Sequence, residues 1–295
     1  MKTNTETNGN GGGLLAKYRP QTLSRIVGQA PVVKALSAYL RQPASVAMIF
    51  AGPSGVGKTA AALAIAADLE CDPDWGGISE IASGMQNGQA VDNLLRSLRL
   101  RPLAGSGWKV AIINEADRMT EQAEAVWLDG LEHLPVKTVV IFTTNNLGKL
   151  SPRFVRRCEV YHFDGSSTAF RAAMAKLIRQ VWKSETGKPL GTLPEGLGRF
   201  EECDDAYSIG LALQQITPYL RTGDSLPERF GVPMIRNSQP APAKPKADEE
   251  ERPDGPMVAR YRVRCQICGE WIHRKEEARH HSRKTKWRWC HASCR

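Results

Sequence analysis

The sequence predicts an α/β protein built on a parallel sheet, followed by a small helical domain, a linker and a small metal-stapled domain. Three observations lead there. Val46-Ala47-Met48-Ile49-Phe50, Val110-Ala111-Ile112-Ile113 and Val139-Val140-Ile141-Phe142 are continuous apolar runs rich in β-branched residues, the pattern of strands buried on both faces. Helix-length segments lie between them, such as Pro31–Arg41, with Val33, Leu36 and Leu40 at helical spacing, and the alanine-rich Lys58–Leu69. That alternation belongs to a sheet covered by helices on both sides. Finally, four of the seven cysteines, 265, 268, 290 and 294, crowd one short basic stretch, which argues for metal rather than disulfides.

In chain order, residues 1–13 are rich in Asn, Thr and Gly with little to bury, and read as a disordered leader. Residues 14–164 form the α/β domain. Residues 165–221 contain no strand-like run; Phe170, Met174, Leu177 and Val181 mark one helical face and Ile209, Leu213 and Ile216 another, which predicts a small helical domain. From 222 to 256, prolines at 227, 233, 240, 242, 245, 253 and 256 alternate with charged residues, including Asp248-Glu249-Glu250-Glu251, as in a solvated, semi-extended linker. Residues 257–295 carry +8 of the +9 formal charge, so the body is near neutral and the last domain basic. No run approaches the roughly 18 apolar residues needed to span a bilayer, and the polar start Met1-Lys2-Thr3-Asn4 does not resemble a signal peptide. The expectation is a soluble intracellular protein with no membrane partner, cytoplasmic or, in a eukaryote, nuclear.

Gly52-Pro53-Ser54-Gly55-Val56-Gly57-Lys58-Thr59 satisfies G-x-x-x-x-G-K-[ST] between a predicted strand and a predicted helix. Glycines let backbone N–H groups turn inward around phosphate, the helix N-terminus adds positive potential, Lys58 reaches the β/γ-phosphates and Thr59 offers a hydroxyl to Mg²⁺. The run is a P-loop, and ATP with Mg²⁺ is the expected ligand. The second strand ends in Asn114-Glu115-Ala116-Asp117, where an ATPase places an acidic pair. Glu115 can polarise the attacking water; Asn114 keeps an acceptor oxygen but lacks the charge that supports Mg²⁺.

Lys17-Tyr18-Arg19-Pro20, Thr22-Leu23, Ile26-Val27-Gly28-Gln29, the P-loop, Asn114-Glu115-Ala116-Asp117 and Arg156-Arg157-Cys158 together resemble the AAA+ ATPases of clamp loaders, specifically replication factor C small subunits. The resemblance runs from about residue 14 to 164 and more faintly to 221. It implies an AAA+ sheet domain with a helical lid, and nucleotide contacts from Tyr18, Arg19, Val27 and Gly28. It implies further that Asn145 orients the hydrolytic water and that Arg157 is an arginine finger offered to ATP in a neighbouring subunit. The chain departs from the pattern at Asn114, at Arg156 in place of a serine, and at Tyr207 where a second sensor arginine is expected. A linker follows where the family has a helical collar.

The tail reads Cys265-x-x-Cys268, an insertion, then Trp289-Cys290-His291-Ala292-Ser293-Cys294. A tetrahedral Zn²⁺ site takes Cys265, Cys268, His291 and Cys294, or Cys290 in place of His291. The spacing resembles treble-clef fingers, which favours His291 and leaves His273, His280 and His281 without a metal role. Arg260, Arg262, Arg264, Arg274, Arg279, Arg283, Lys284, Lys286 and Arg288 alternate with Tyr261, Trp271, Trp287 and Trp289, a pattern suited to nucleic acid; a protein-docking or merely solubilising role stays open. Arg96, Arg99 and Arg101 form a second basic patch that would face DNA or solvent.

The resemblance thus implies an ATP-dependent clamp-loader-like subunit that joins like or unlike subunits and acts on a sliding clamp and on primed, single-stranded or double-stranded DNA. Two alternatives stay open: a scaffold or regulatory subunit that binds ATP but hardly hydrolyses it, and an AAA+ helicase loader or DNA-repair factor.

Overall fold

The computed structural model describes residues 13–200 and 206–230, together with the backbone of five short strands beyond residue 256. The chain divides into two compact units, residues 1–235 and 236–295.

In the first unit, strands β1 (Val46–Ala51), β2 (Ile78–Ile81), β3 (Lys109–Ile113), β4 (Thr138–Thr144) and β5 (Glu159–His162) form one sheet in the order β2-β3-β4-β1-β5. Every pairing in it is parallel. The three expected strands are its interior members. Because side chains alternate across a strand, Met48, Phe50, Val110, Ile112, Val139 and Ile141 pack on one face and Ala47, Ile49, Ala111, Ile113, Val140 and Phe142 on the other. Both faces are covered, so both sets must be apolar, and the runs appear continuous.

Helix α1 (Leu14–Lys17) packs against the later helix Ile209–Thr222, while α2 (Ala30–Tyr39), α3 (Lys58–Asp68), α4 (Gly88–Leu98), α5 (Glu121–Glu132) and α6 (Pro152–Val155) surround the sheet. Val32 and Leu36 of α2 and Ala61, Ala62 and Ile65 of α3 cover the first face; Val91, Leu94, Leu98, Ala123, Trp127 and Phe154 cover the second. Alanine along α3 lets that helix lie close over β3 and β4. On the second face the Phe142 ring stands edge-on between Trp127 and Phe154, 4.9 Å from each, an arrangement favoured by the ring quadrupoles. Local chemistry fixes helix starts: Asn87, Thr120 and Ser151 accept hydrogen bonds from Ala90, Ala123 and Phe154 N–H at α4, α5 and α6. The buried Lys109, first in β3, donates to the carbonyls of Leu98 and Leu100 and so satisfies the C-terminal end of α4.

Helices α7 (Thr168–Thr186) and α8 (Ile209–Thr222) pair through their own apolar cluster, with Met174, Ile178, Val181 and Trp182 facing Ala212, Leu213 and Ile216. Ser167 and Ser208 cap their N-termini, and Gly187 and Gly223, at φ 71° and 78°, end them. Two details differ from the periodicity. Phe170 packs into the sheet's core rather than the helix pair, because it lies in the first turn of α7, where the chain has just left β5. The packed chain also extends past 221: Leu226 and Phe230 join the helical cluster, and Phe230 N–H bonds to Glu195 O at 2.8 Å. No helix among the described residues is long and apolar enough to cross a membrane.

The second unit contains β6 (Met257–Val258), β7 (Val263–Arg264), β8 (Trp271–Ile272), β9 (Glu277–Arg283) and β10 (Lys286–His291). An antiparallel sheet of order β10-β9-β6 accompanies the antiparallel pair β7-β8. Residues 1–12, 201–205 and 231–256, where the expected leader and most of the linker fall, lie outside the described residues.

Candidate nucleotide site

The P-loop connects β1 to α3 at the carboxyl ends of the parallel strands, where open α/β sheets place ligands. Gly55 and Gly57 adopt φ of 72° and 105°, a region closed to most side chains, and that conformation bends the loop back on itself. Lys58 is 8% exposed. Its ammonium donates to Gly52 O at 2.7 Å, Pro53 O at 2.6 Å and Asn145 Oδ1 at 2.8 Å. Burial lowers its pKa to about 8, against the opposing pull of Asp117 and Glu115.

The ends of the three interior strands meet in front of this lysine. Thr59 Oγ1 donates to Asn114 Oδ1 at 3.1 Å, and Asn145, just after β4, reaches Lys58. Glu115 sits at φ 52°, ψ 55°, left-handed backbone that is costly for a glutamate. Four side chains hold it there: its N–H donates to Thr143 Oγ1 at 3.1 Å, its carboxylate accepts from Ser83 Oγ and pairs with Arg118 at 3.3 Å, and Gln86 Nε2 donates to the carbonyls of Asn114 and Glu115. Gln86 is buried and its Oε1 has no partner. Asp117 accepts from Thr144 Oγ1 at 3.0 Å and from Asn145 N–H at 3.4 Å, fixing the turn that carries Asn145.

The structure therefore gathers Gly52, Pro53, Lys58, Thr59, Asn114, Glu115 and Asn145 into one site. Val27 and Gly28 are tied to it through the next residue: Gln29 brackets Asp164 N–H and C=O, at 2.9 and 2.7 Å, and its amide reaches Val56 O at 3.4 Å. Tyr18 instead lies against α7, where its hydroxyl donates to Glu185, which also pairs with Lys17 at 2.7 Å; Arg19 beside it is exposed. Arg157 turns onto its own chain, donating to Leu128 O and pairing with Glu132. Tyr207 bonds through its N–H to Gly165 O at 2.7 Å, and the Arg171 guanidinium lies 5.5 Å from its ring centre. Arg96 pairs with Asp92 at 2.9 Å within α4, and Arg99 and Arg101 are exposed.

Glu80, Ser83, Gln86, Thr143 and Asp117 also belong to this site, although the motifs did not single out a role for them. Asp117 alone carries a signal, as the last residue of Asn114-Glu115-Ala116-Asp117. The site's donors toward a cation are all oxygens, which suits Mg²⁺ held mainly by phosphate and water. No group of three or more His, Cys, Asp or Glu side chains among the described residues could hold a metal ion by itself. For the expected zinc ligands, Cys265, Cys268 and Cys294 lie outside the described residues, and Cys290 and His291 fall on β10, opposite Arg279 and Ala278 of β9.

The sheet order and the loop geometry define an α/β protein with a parallel five-stranded sheet and a P-loop at the carboxyl ends of its strands. The fold is shared with the Thermotoga maritima RuvB Holliday junction branch migration motor, at a TM-score of 0.52 and 19% identity over 72% of this chain and 69% of that one. Residues 73–167 match the family of the DNA polymerase III delta subunit. The chain is also similar to replication factor C small subunits. It is 30% identical to that of Picrophilus torridus over 57% of this chain and 53% of the relative. Against that of Archaeoglobus fulgidus it is 29% identical over 72% and 70%, and against that of Natronomonas pharaonis 32% over 61% and 56%. The match thus spans about half the length of the first of these relatives. Fold and sequence together support a likeness to AAA+ clamp-loader proteins.

Proposed function

We propose that the chain is an ATP-binding and ATP-hydrolysing clamp-loader-like subunit that works inside the cell in DNA replication, assembling with like or unlike subunits to place a sliding clamp on primed DNA. The observation that carries this is the convergence of Lys58, Thr59, Glu115 and Asn145 at the carboxyl ends of three neighbouring parallel strands. Backbone N–H groups of the loop and the N-terminus of α3 would hold the phosphates. Lys58 would exchange its carbonyl partners for phosphate oxygens, and Thr59 with Asn114 would hold Mg²⁺, which neutralises charge developing on the phosphates. Glu115 would take the role of orienting and polarising the attacking water. Arg157 is the proposed finger toward a neighbour's nucleotide, and to serve it must release Glu132. The tail is proposed to bind one Zn²⁺ through Cys265, Cys268, His291 and Cys294, with Cys290 as the alternative ligand, and to contact DNA through its basic and aromatic side chains.

A second reading, a scaffold subunit that binds ATP but turns it over weakly, is favoured by two observations: the amide of Asn114 where a carboxylate is expected, and the engagement of Arg157 with Glu132. One set of assays separates the readings. Lys58→Ala should abolish ATP binding by the full chain. Turnover measured with and without primed DNA and co-purified partners should rise with them on the first reading and stay flat on the second. Normal ATP affinity in Lys58→Ala would overturn the site itself.

A further inference from the structure

We propose that Glu80 supplies to the metal–phosphate site the carboxylate charge that Asn114 lacks, and that it fixes which way the Asn114 amide faces. This rests on the nucleotide reading above and adds a residue to it.

Glu80 reaches the site by the register of the sheet. It pairs with Ile112, two residues before Asn114, and Asn114 N–H bonds to Ile81 O at 3.1 Å, so the ends of β2 and β3 stay in step. Along β2, Ile78 packs into the cluster under α3 and Ile81 into the opposite one. Period-two alternation therefore puts Glu80 with Ile78 on the α3 side, the side from which Thr59 faces the strand ends. There the Asn114 side chain lies among three partners, one of them Thr143, whose Oγ1 donates to Asn114 Oδ1 at 3.4 Å. Its Nδ2 donates to Glu80 Oε1 at 2.5 Å, and its Oδ1 accepts from Thr59 Oγ1 at 3.1 Å.

The hydrogen-bonding capacities decide the orientation. Thr59 and Thr143 carry hydroxyls that can donate or accept, so either end of an amide would satisfy them. An ionised carboxylate only accepts. Glu80 must therefore draw the NH₂ end, which leaves the amide oxygen facing Thr59, on the side where a divalent cation needs oxygen. Without Glu80 the amide could present its NH₂ there and repel the cation. The carboxylate is exposed, so water screens it, but it stands one amide away from the Thr59 hydroxyl, near enough for a unit charge to act on a divalent ion even at a dielectric constant close to that of water. Asn114 and Glu80 together thus offer an oxygen ligand and a negative charge from two strands, where one aspartate would offer both from one.

Glu80→Gln tests the charge and spares the geometry, because glutamine still offers an acceptor to Asn114. The affinity of the full chain for a fluorescent ATP analogue is measured in EDTA and across a Mg²⁺ titration. The expected result is a metal-free affinity within about twofold of wild type and a Mg²⁺ midpoint raised about tenfold. In the background of Asn114→Asp, where a carboxylate already faces Thr59, Glu80→Gln should shift the midpoint by less than about twofold, the non-additivity of residues that share one role. An unchanged Mg²⁺ midpoint in Glu80→Gln overturns the proposal. So does an equal loss of affinity with and without Mg²⁺, which would mark a merely structural role. If Glu80→Gln fails to fold, Glu80→Ala is measured in the same way: a raised Mg²⁺ midpoint is expected, and an unchanged one overturns the proposal. Failure of the wild-type chain to bind the analogue under any condition overturns the nucleotide reading, and this assignment with it.

Discussion

Binding of ATP should be coupled to proton uptake at Lys58. In the ligand-free chain, burial holds this ammonium at a pKa of about 8, whereas a phosphate beside it would favour the charged form and raise that value. Nucleotide binding must then draw in the missing proton. With a pKa of about 8, the lysine is about 10% neutral at pH 7, half neutral at pH 8 and about 90% neutral at pH 9. Calorimetric titrations in two buffers of different ionisation enthalpy, repeated at these pH values, should give uptake of about 0.1, 0.5 and 0.9 proton per nucleotide. The same arithmetic weakens affinity about tenfold between pH 7 and pH 9. The phosphate's own second ionisation, near pH 6, lies below this range. Stability carries the same signature with a definite sign. Between pH 8 and pH 10.5 the folded lysine holds fewer protons than the unfolded one, so its contribution rises with pH, by about 3 kcal/mol in total. That slope should vanish in Lys58→Met. Uptake that stays at zero from pH 7 to pH 9 would refute the reasoning, because it would mean the lysine is fully charged before ATP arrives.

Trp127 is fully buried with its indole N–H unpaired. Trp127→Ala should cost about 3–5 kcal/mol in chemical denaturation, whereas Trp127→Phe, which also removes the unsatisfied donor, should cost about 1 kcal/mol; equal losses would refute the account of the indole. Glu132→Gln should change stability by less than about 1 kcal/mol, since the pair with Arg157 is partly exposed, while ATPase stimulation by partners should rise as Arg157 is freed. Burial pushes the Cys158 thiol up to about 12 and that of Cys71 to about 11, so at pH 8 alkylation followed by mass spectrometry should leave both intact. Metal analysis should find about one zinc per chain, and cysteines 265, 268 and 294 should become reactive only after chelation. Reactivity in the untreated protein would count against the metal site.

The interior of the sheet was legible because burial on two faces leaves a continuous apolar run. β2 and β5 were not, and the topology explains it: they are the two edges, each with exposed positions, and Ile78-Ser79-Glu80-Ile81 and Glu159-Val160-Tyr161-His162 are too short and too polar to stand out. The site divides in the same way. The P-loop's function is local, eight consecutive residues setting one curve, so its pattern announces itself. Glu80, Ser83 and Gln86 serve a strand end about thirty residues away in sequence; only sheet register brings them there, and no spacing rule reports a register. Tyr18 shows the opposite case, a motif residue whose observed partner, Glu185, sits on a helix that the motif does not mention.

The close approach of α8 to the P-loop has a consequence for mutagenesis. A methyl group added at Gly55 would fall 1.9 Å from Ser208 Oγ, and Gly55 O accepts from Gly210 N–H at 3.3 Å; one added at Gly57 meets nothing within 4 Å. Two glycines of one loop therefore answer to different selective pressures. Gly55 is constrained by a neighbour as well as by its own dihedral angles, so an alanine there would push aside the Ser208 hydroxyl that caps α8 even in a chain that never met ATP. At Gly57 an L side chain would meet no neighbour but would be forced to φ 105°, a backbone conformation that a D-alanine adopts without strain. Chemical semisynthesis at 57, rather than alanine at 55, isolates what the curve of the loop contributes.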